Sequence, residues 1–271
     1  MNGLSLVPRD LVSTARAMPA ILGTSVKATL ALRRSFWLQA VLMFINNAAF
    51  FVFWVLFFHR FDEVRGWRLE DTAALYGIVA FGWGFGVILF GGVPRLARSI
   101  LDGELDPLLV QPKSVLLQAI TVRSGASGWG DLGTGAILIG IVAAGDPALI
   151  PLALAGSVAS AAVFTATGVI LHSSAFWLSR IEVLAGQLHE FQLTFSLYPA
   201  NLFGGGIRLI LYTAIPAGFA GYLPVDLVRS PDPAAAVLLI AGVIAYILAA
   251  VTLFDLGLRF YTSGNRVGGV W

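Results

Sequence analysis

The stretch from Phe36 to Phe58 reads FWLQAVLMFINNAAFFVFWVLFF, and its only strongly polar side chains are Gln39, Asn46 and Asn47. A helix needs about 20 predominantly apolar residues to cross the hydrocarbon core of a bilayer. This stretch meets that requirement. Further apolar runs that predict crossings follow along the chain at 72–93, 128–144, 148–171 and 234–258.

The composition supports the same class of protein. Hydrophobic residues make up 58% of the 271 residues and charged residues 12%, against roughly 45–50% and about 25% in soluble globular proteins. The 19 Phe and 7 Trp exclude a disordered chain. The absence of cysteine excludes disulfides and thiolate metal sites. The net charge is +2 and no basic run is longer than Arg33-Arg34, so the chain lacks the basic surface expected of a nucleic-acid-binding protein.

The segment from 181 to 222 is ambiguous. Its first part, 181–200, is weakly apolar and contains Glu190, and its second part, 207–222, is short and contains Pro216. In one arrangement the first part is the fifth of six spans, and the second dips into the outer leaflet and returns as a re-entrant hairpin. In the other arrangement 207–222 crosses and 181–200 is a cytoplasmic helix. Both stay open at this stage, and the first is favoured.

The placement of Lys and Arg indicates the orientation. With six crossings, 12 basic residues fall on the side of the N-terminus and 5 on the other side, so both termini are expected in the cytoplasm. We therefore predict an all-α integral membrane protein with six transmembrane helices, an interfacial N-terminal helix at 17–34 and a re-entrant hairpin before the last span. Its parts are expected at 1–35 (tail and interfacial helix), 36–258 (transmembrane domain) and 259–271 (cytoplasmic tail).

Patterns of catalytic residues are incomplete. Gly125 to Gly128 matches the Gly-x-Ser-Gly pattern around an intramembrane protease serine, Ser127, but no histidine motif of that class accompanies it. His189-Glu190 begins a zinc-protease motif whose second histidine is replaced by Leu193. No Gly-x-x-x-x-Gly-Lys-Ser/Thr motif occurs, so this chain is not expected to bind ATP through a P-loop.

Polar residues inside the predicted spans are candidates for a translocation path, and glycines there are candidates for close contacts between helices. Asn46 and Asn47 project about 100° apart on a helix, so one is expected to bond a neighbouring helix and the other to line a pathway. Asp131 is interpreted as a helix-start residue near the cytoplasmic surface. Trp83 is a third candidate for the path. The glycines of the second and third spans predict close helix contacts, within one chain or across a dimer.

The loop between the second and third spans begins PRLARSILDGELDPLLVQPK at 94–113. Pro94 is expected to open a helix that Gly103 closes, and Asp106-Pro107 to start a second one that ends before Pro112. The result is a compact cytoplasmic loop whose apolar side chains seek a groove in a partner: Leu101, Leu105, Leu108 and Leu109. Alternatively these leucines pack on the protein's own helices or at the lipid interface.

The run Gly103-Glu104-Leu105-Asp106, followed by Leu108-Leu109 and Pro112, resembles the loop signature of one branch of the type-2 ABC export permeases. Weaker similarity continues at 130–132, 198–199, 215–216, 222–224 and 259–263. The resemblance implies a half-transporter in a bacterial plasma (inner) membrane, paired with a second copy or a related permease. It also implies separate ATPase subunits that bind ATP and Mg, docked on the 94–123 coupling loop. The residues expected to contact them are Leu101, Glu104, Leu105, Asp106, Leu108 and Leu109.

Two other functions remain open from the sequence. An ATP-independent channel or secondary carrier would share the same composition and span count. An intramembrane serine protease is a weaker alternative, because the partners of Ser127 are missing. Neither the transported substrate nor its direction is indicated by the residues themselves.

Overall fold

The computed structural model describes residues 8–262, and every long element in that range is an α-helix. No β-strand forms among these residues, although Val64 and Trp67 make an isolated bridge in the turn between the second and third helices. Residues 1–7 and the predicted tail beyond residue 262 lie outside the described part. The helices are α1 (Pro8–Ala31), α2 (Arg33–Arg60), α3 (Leu69–Leu89), α4 (Leu96–Leu101), α5 (Asp106–Leu109), α6 (Val115–Thr121), α7 (Ser127–Val142), α8 (Leu149–Ser173), α9 (Glu182–Ser196), α10 (Gly205–Tyr212), α11 (Leu223–Arg229) and α12 (Pro233–Leu258).

Four of the described helices are long and apolar enough to cross a membrane: α2, α3, α8 with the 3₁₀ turn that follows it, and α12. They coincide with four of the predicted spans. Helix α7 falls on the predicted third span but has only 16 residues, or ~24 Å at 1.5 Å per residue. Helix α9 has 15 residues. Both are shorter than the roughly 30 Å of a typical hydrocarbon core.

The N-terminal helix is longer than the sequence predicted. Helix α1 begins at Pro8, earlier than the expected 17, and a proline at this position suits the first turn of a helix. A backbone break at Leu32 separates it from α2 (φ −84°, ψ 58°). The hydroxyl of Ser25 donates to the Thr121 carbonyl at 2.8 Å, and that of Thr29 donates to the Ser124 carbonyl at 3.0 Å. These bonds dock α1 beside α6.

Helix α3 lies at the centre of the bundle. It packs between α7 and α8, while α2 packs on α7 and α12 packs on α8. Consequently α2 and α12 form the two outer sides of the bundle, and most of their length is exposed. Helix α9 packs mainly on α8, with a smaller contact on α3.

Glycines permit the close approach of α3 to both neighbours. A Cβ atom on Gly84 would lie 2.5 Å from the carbonyl oxygen of Gly128 in α7, and a Cβ on Gly82 would lie 2.6 Å from that of Ser157 in α8. Backbones this close leave no room for a methyl group. In lipid, where no hydrophobic drive brings helices together, such contacts provide the packing energy. The predicted small-residue contacts therefore occur within one chain.

One end of the bundle carries the loop between α3 and α7, and we refer to it as the loop end. There Leu96, Leu105 and Leu116 pack in one buried cluster with Val169 of α8 and Phe254 of α12. The loop is thus continuous with the hydrophobic core of two long helices.

The end of the bundle away from this loop, which we call the opposite end, is held together by polar contacts. Arg65 donates to the Asn201 carbonyl at 2.8 Å, and the Asn201 amide donates back to the Arg65 carbonyl at 2.8 Å. Arg229 binds Asp71 at 2.7 Å and the Gly66 carbonyl at 2.8 Å, and its guanidinium lies over the ring of Trp67. Both the beginning and the end of the segment 202–229 are therefore attached to the turn between α2 and α3.

Helix α9 buries a partly polar face and exposes a mixture of apolar and polar side chains, Gln187 and Glu190 among them. Its buried residues are Ala185, His189, Gln192 and Ser196. The large apolar side chains Val183, Leu184 and Phe191 are exposed. Glu190 thus lies on the exposed side of α9, where a charged side chain inside a span is costly unless a polar partner or cavity meets it.

Candidate functional site

The loop of residues 94–123 is built from short capped helices. Pro94 lies in the 3₁₀ turn that leads into α4, as the sequence predicted. After α4, Gly103 has φ +78°, a left-handed conformation that favours glycine. The Glu104 amide donates to the Ser99 carbonyl at 2.9 Å, which completes the six-residue ring of a Schellman cap. The predicted stop at Gly103 is confirmed.

Side-chain bonds fix the loop further. The Ser99 hydroxyl donates to a Glu104 carboxylate oxygen at 2.7 Å, and Arg98 pairs with Asp102 at 3.2 Å. The Tyr261 hydroxyl, which follows α12, donates to Asp106 Oδ1 at 2.9 Å. Burial, together with this bond to Asp106, raises the pKa of Tyr261 to about 12, so the phenol remains a donor at neutral pH. The loop is therefore attached both to itself and to the end of α12.

The six residues expected to contact a partner divide into two groups. Leu101, Glu104 and Leu109 are exposed at the loop end, and Asp106 is half-buried against Tyr261. Leu105 is 1% exposed and packs in the chain's own core, and Leu108 packs partly against the same core. Leu105 thus follows the alternative that the sequence left open, in which a leucine supports the loop from within. Contact of these residues with an ATPase stays a prediction.

The sequence reasoning missed Val110. This side chain is 85% exposed, more than any other large apolar residue of the loop. It follows α5 directly and lies next to Leu109, which is 46% exposed. No local sequence signal marks it, because which side of this short helix faces the core is decided by residues that are distant in sequence.

Asn47 belongs to a buried polar network. Its amide donates to Asp131 Oδ1 at 2.7 Å, and its carbonyl oxygen accepts from the Tyr76 hydroxyl at 3.1 Å. The three side chains join α2, α7 and α3. Asp131 lies in the second turn of α7 and is 4% exposed, so it is a buried link between helices close to the start of its own helix. The sequence signal was present, since an acid inside a span is a functional candidate by default.

The other two candidates for a path occupy different surroundings. Asn46 is exposed on the outer side of α2. Trp83 lines a cavity of about 200 Å³ between α3, α8 and α9, whose other walls include Val87, Phe164 and His189. The walls are almost entirely apolar, and the Trp83 and His189 rings are 5.1 Å apart. The three path candidates therefore do not converge on one site within a single chain.

Catalytic geometry is not found in the described part of the chain. The His189 ring bonds the Phe164 carbonyl at 2.9 Å, and no hydrogen bond joins Ser127 to any histidine of residues 8–262. No group of three or more His, Cys, Asp or Glu side chains that could hold a metal ion occurs among these residues. The features that stand out among the described residues are therefore the exposed tip of the loop and the cavities between the helices.

Comparison with known proteins decides the family. The sequence profile of the family described as ABC-2 family transporter protein matches residues 44–265, which is most of the chain. The chain belongs to the ABC-2 transporter family. No curated protein and no solved structure matches it.

The ABC-2 match begins inside α2 and continues beyond Tyr261, so it includes the loop and all the helices from α3 to α12. The resemblance inferred from the sequence is confirmed at the level of the family. As an ABC-2 family protein with several apolar helices, the chain is a multi-pass membrane component of an ABC transporter, and its family role is transport. The narrower branch indicated by the Gly103–Asp106 motif stays a prediction.

Proposed function

We propose that this ABC-2 protein is the permease subunit of an exporter, driven by separate ATPase subunits that dock on the loop of residues 94–123. The observation that carries the proposal is the apolar tip of that loop, formed by Leu101, Leu109 and Val110. ATP and Mg would be bound by the partner, because the sequence holds no P-loop motif. The direction of export follows from the resemblance described above.

The contacts made at the loop end and at the opposite end of the bundle support six membrane crossings. Helix α9 follows Ile181, which packs in the core at the loop end, and leads to Tyr198, which packs on Phe50 and Trp54 near the opposite end. The exposed apolar side chains of α9 suit contact with lipid, and the exposed Glu190 on the same helix would face a polar path or a second subunit. The segment 202–229 starts and finishes at the opposite end, as a re-entrant hairpin requires. These contacts favour 181–200 as the fifth span over 207–222.

The charge distribution supports a cytoplasmic loop end. Arg95, Arg98, Lys113 and Arg123 lie in the loop itself, and Lys27 lies on the neighbouring helix α1. Cytoplasmic segments of membrane proteins carry an excess of Lys and Arg. In this orientation both termini are cytoplasmic, and the membrane is the plasma membrane of a bacterium.

The tip is suited to a groove in a soluble partner. Val110 and Leu109 extend into water while the loop below them is held by the Schellman cap and the bond from Tyr261. A rigid apolar tip loses little conformational freedom when it is bound, which favours association. Glu104 stands beside the tip and adds a charge that a basic residue of the partner can meet.

Motion of the tip would reach the bundle through two attachments. Leu105 connects the loop to α8 and α12 through the shared core, and Asp106 connects it to Tyr261 at the end of α12. Closure of the ATPase subunits on ATP would then shift the bundle between inward-facing and outward-facing states, since ATP binds the two states with different affinity.

A second permease, identical or related, would complete the path. Helices α2 and α12 bury few of their residues within the chain. Asn46 lies on the exposed side of α2, where a lone amide in lipid is unfavourable. We place Asn46 in the path or interface between two subunits, Asn47 in the network beside it, and Trp83 in the apolar cavity that receives a hydrophobic part of the cargo.

The experiment is purification of the tagged transporter with its ATPase from the native membrane. Leu109→Asp with Val110→Asp should leave membrane insertion intact and abolish both copurification and ATP hydrolysis. The matched control is Phe61→Asp, an exposed apolar residue at the opposite end, which should retain the ATPase. An unchanged amount of ATPase on the double variant contradicts the proposal, and flux in vesicles that hold this chain alone, without nucleotide, favours a channel or carrier.

A further inference from the structure

A cavity of about 410 Å³ opens at the loop end between α1 and the first turns of α2. Its polar lining includes Ser35, Gln39, Arg95 and Arg123. Its apolar lining includes Phe36. The cavity is separate from the apolar tip of the loop, and it adjoins the cavity beside Trp83, with which it shares Gly91 and Gly125.

Backbone contacts bring the two arginines to the same cavity although they come from different parts of the loop. The Gly92 amide donates to the Ile120 carbonyl at 2.9 Å, and the Gly125 amide donates to the Val87 carbonyl at 3.0 Å. These bonds hold the segment after α3 against the segment after α6. Arg95 follows the first contact by three residues, and Arg123 precedes the second by two.

The positive charge in this cavity is not balanced by the chain. No Asp or Glu lines the cavity. Among residues 8–262, the ion pairs within 4.0 Å involve Arg68, Arg98 and Arg229, and none involves Arg95 or Arg123. Both arginines are exposed at this cavity, and guanidinium forks match the oxygens of a phosphate.

Further donors face the same space. The Gln39 amide donates to the Ser35 hydroxyl at 2.9 Å, which leaves the second Gln39 N–H and the Ser35 O–H for a ligand. The hydroxyls of Ser25 and Thr29 are already used to dock α1, so they shape the wall. The polar side of the cavity is therefore made mainly of donors.

The apolar side continues onto the outer surface of α2. The Phe36 ring makes edge contacts with Trp37 at 5.3 Å and Trp129 at 6.2 Å. Both tryptophans are exposed, and exposed tryptophan is enriched at the level of lipid headgroups. Beyond them, Leu38 and Val41 present an exposed apolar surface along α2. A ligand that fits both sides is anionic at one end and carries hydrocarbon at the other.

We propose that this cavity binds the phosphate headgroup of an anionic phospholipid of the adjoining leaflet, with Arg95 and Arg123 on the phosphate and the acyl chains along α2. The ligand would fasten α1 to the bundle, since α1 and α2 form opposite walls of the cavity. The proposal concerns this chain's own residues and does not require the ATPase partner.

The test is native mass spectrometry of the purified full chain in detergent, with dioleoyl-phosphatidylglycerol and dioleoyl-phosphatidylcholine added in competition. The wild type should prefer phosphatidylglycerol. Arg95→Gln with Arg123→Gln should reduce that preference by about thirtyfold, equal to ~2 kcal/mol for two basic residues near an anionic surface. Arg95→Lys with Arg123→Lys keeps the charge and should keep most of the preference.

The control removes two charges from the same loop outside the cavity, by Arg98→Gln with Lys113→Gln, and should bind as the wild type does. An unchanged preference in the Arg95/Arg123 glutamine variant, or an equal loss in the control, overturns the proposal. A third arm adds inorganic phosphate in large excess. Complete displacement of the lipid by phosphate would assign the cavity to a free anion and overturn the lipid assignment.

Discussion

Tyr261 and Asp106 are far apart in the sequence, yet one hydrogen bond of 2.9 Å joins them. The bond fixes the start of α5, so the position of the loop tip depends on a residue that follows the last helix. The Tyr261 hydroxyl stays protonated at neutral pH and therefore remains a hydrogen-bond donor. Because the folded-state pKa of Tyr261 is raised above the ordinary value of 10, its contribution is complete below about pH 10 and is lost as pH rises through about 12.

We therefore predict that Tyr261→Phe loosens the loop. Loss of one hydrogen bond to a carboxylate removes about 1.5 kcal/mol, which corresponds to about tenfold faster opening of the loop. Tryptic cleavage after Lys113 in the purified permease should accelerate by this factor, and the ratio of variant to wild-type rates should be the same at pH 7 and pH 9. Tyr246→Phe is the control, since its hydroxyl bonds the Thr213 carbonyl at 2.7 Å, away from the loop. Equal cleavage rates in Tyr261→Phe and wild type would contradict the role of the Tyr261–Asp106 hydrogen bond in holding the loop.

At the scale of elements, the contact of α3 with α7 depends on the absence of side-chain atoms. A methyl group on Gly84 would lie 2.5 Å from the Gly128 carbonyl oxygen and 2.6 Å from the Leu132 amide nitrogen. Both atoms belong to a backbone, so neither can move aside without separating the helices. The same helices also carry the Asp131–Asn47–Tyr76 network to α2, and separation would break it.

We predict that Gly84→Ala lowers the thermal midpoint of the detergent-solubilised protein by several degrees. Overpacking costs about 1–3 kcal/mol, which outweighs the ~1 kcal/mol by which alanine favours a helix over glycine. Gly140→Ala in α7 is the matched control, because nothing lies within 4 Å of a Cβ there, and its midpoint should stay or rise. A midpoint for Gly84→Ala as high as that of the control would show that the helices are not in close contact.

Some elements could be predicted from the sequence and others could not, for physical reasons. The apolar runs gave α2, α3, α8 and α12, because length and hydropathy alone decide whether a helix can span. The Gly103 stop was predicted, because left-handed backbone favours glycine. The burial of Leu105 and the exposure of Val110 were not, because which side of a short helix faces the core depends on Val169 and Phe254, which are distant in sequence. The hydrogen bond between Asp131 and Asn47 could not be predicted for the same reason, since the two residues are distant in sequence.

At the scale of the whole molecule, the two readings of the segment 181–222 place the turn after α9 on different sides of the membrane. If 181–200 crosses, then Leu202 lies on the same side as Phe61. If 207–222 crosses instead, Leu202 lies on the same side as Val110. All three side chains are exposed. The chain contains no cysteine, so a single introduced thiol reports its own position without background.

We predict that Leu202→Cys in intact cells reacts with a membrane-impermeant maleimide, as Phe61→Cys does, because Asn201 is bonded to Arg65 in the turn next to Phe61. Val110→Cys should react only after the cells are permeabilised, because the loop end is cytoplasmic in the proposed orientation. The Val110 variant also controls for leakage of the reagent. Protection of Leu202→Cys in intact cells, with Phe61→Cys labelled, would assign the fifth crossing to 207–222. Labelling of Val110→Cys alone would place the loop outside, where no ATP-driven partner could reach it.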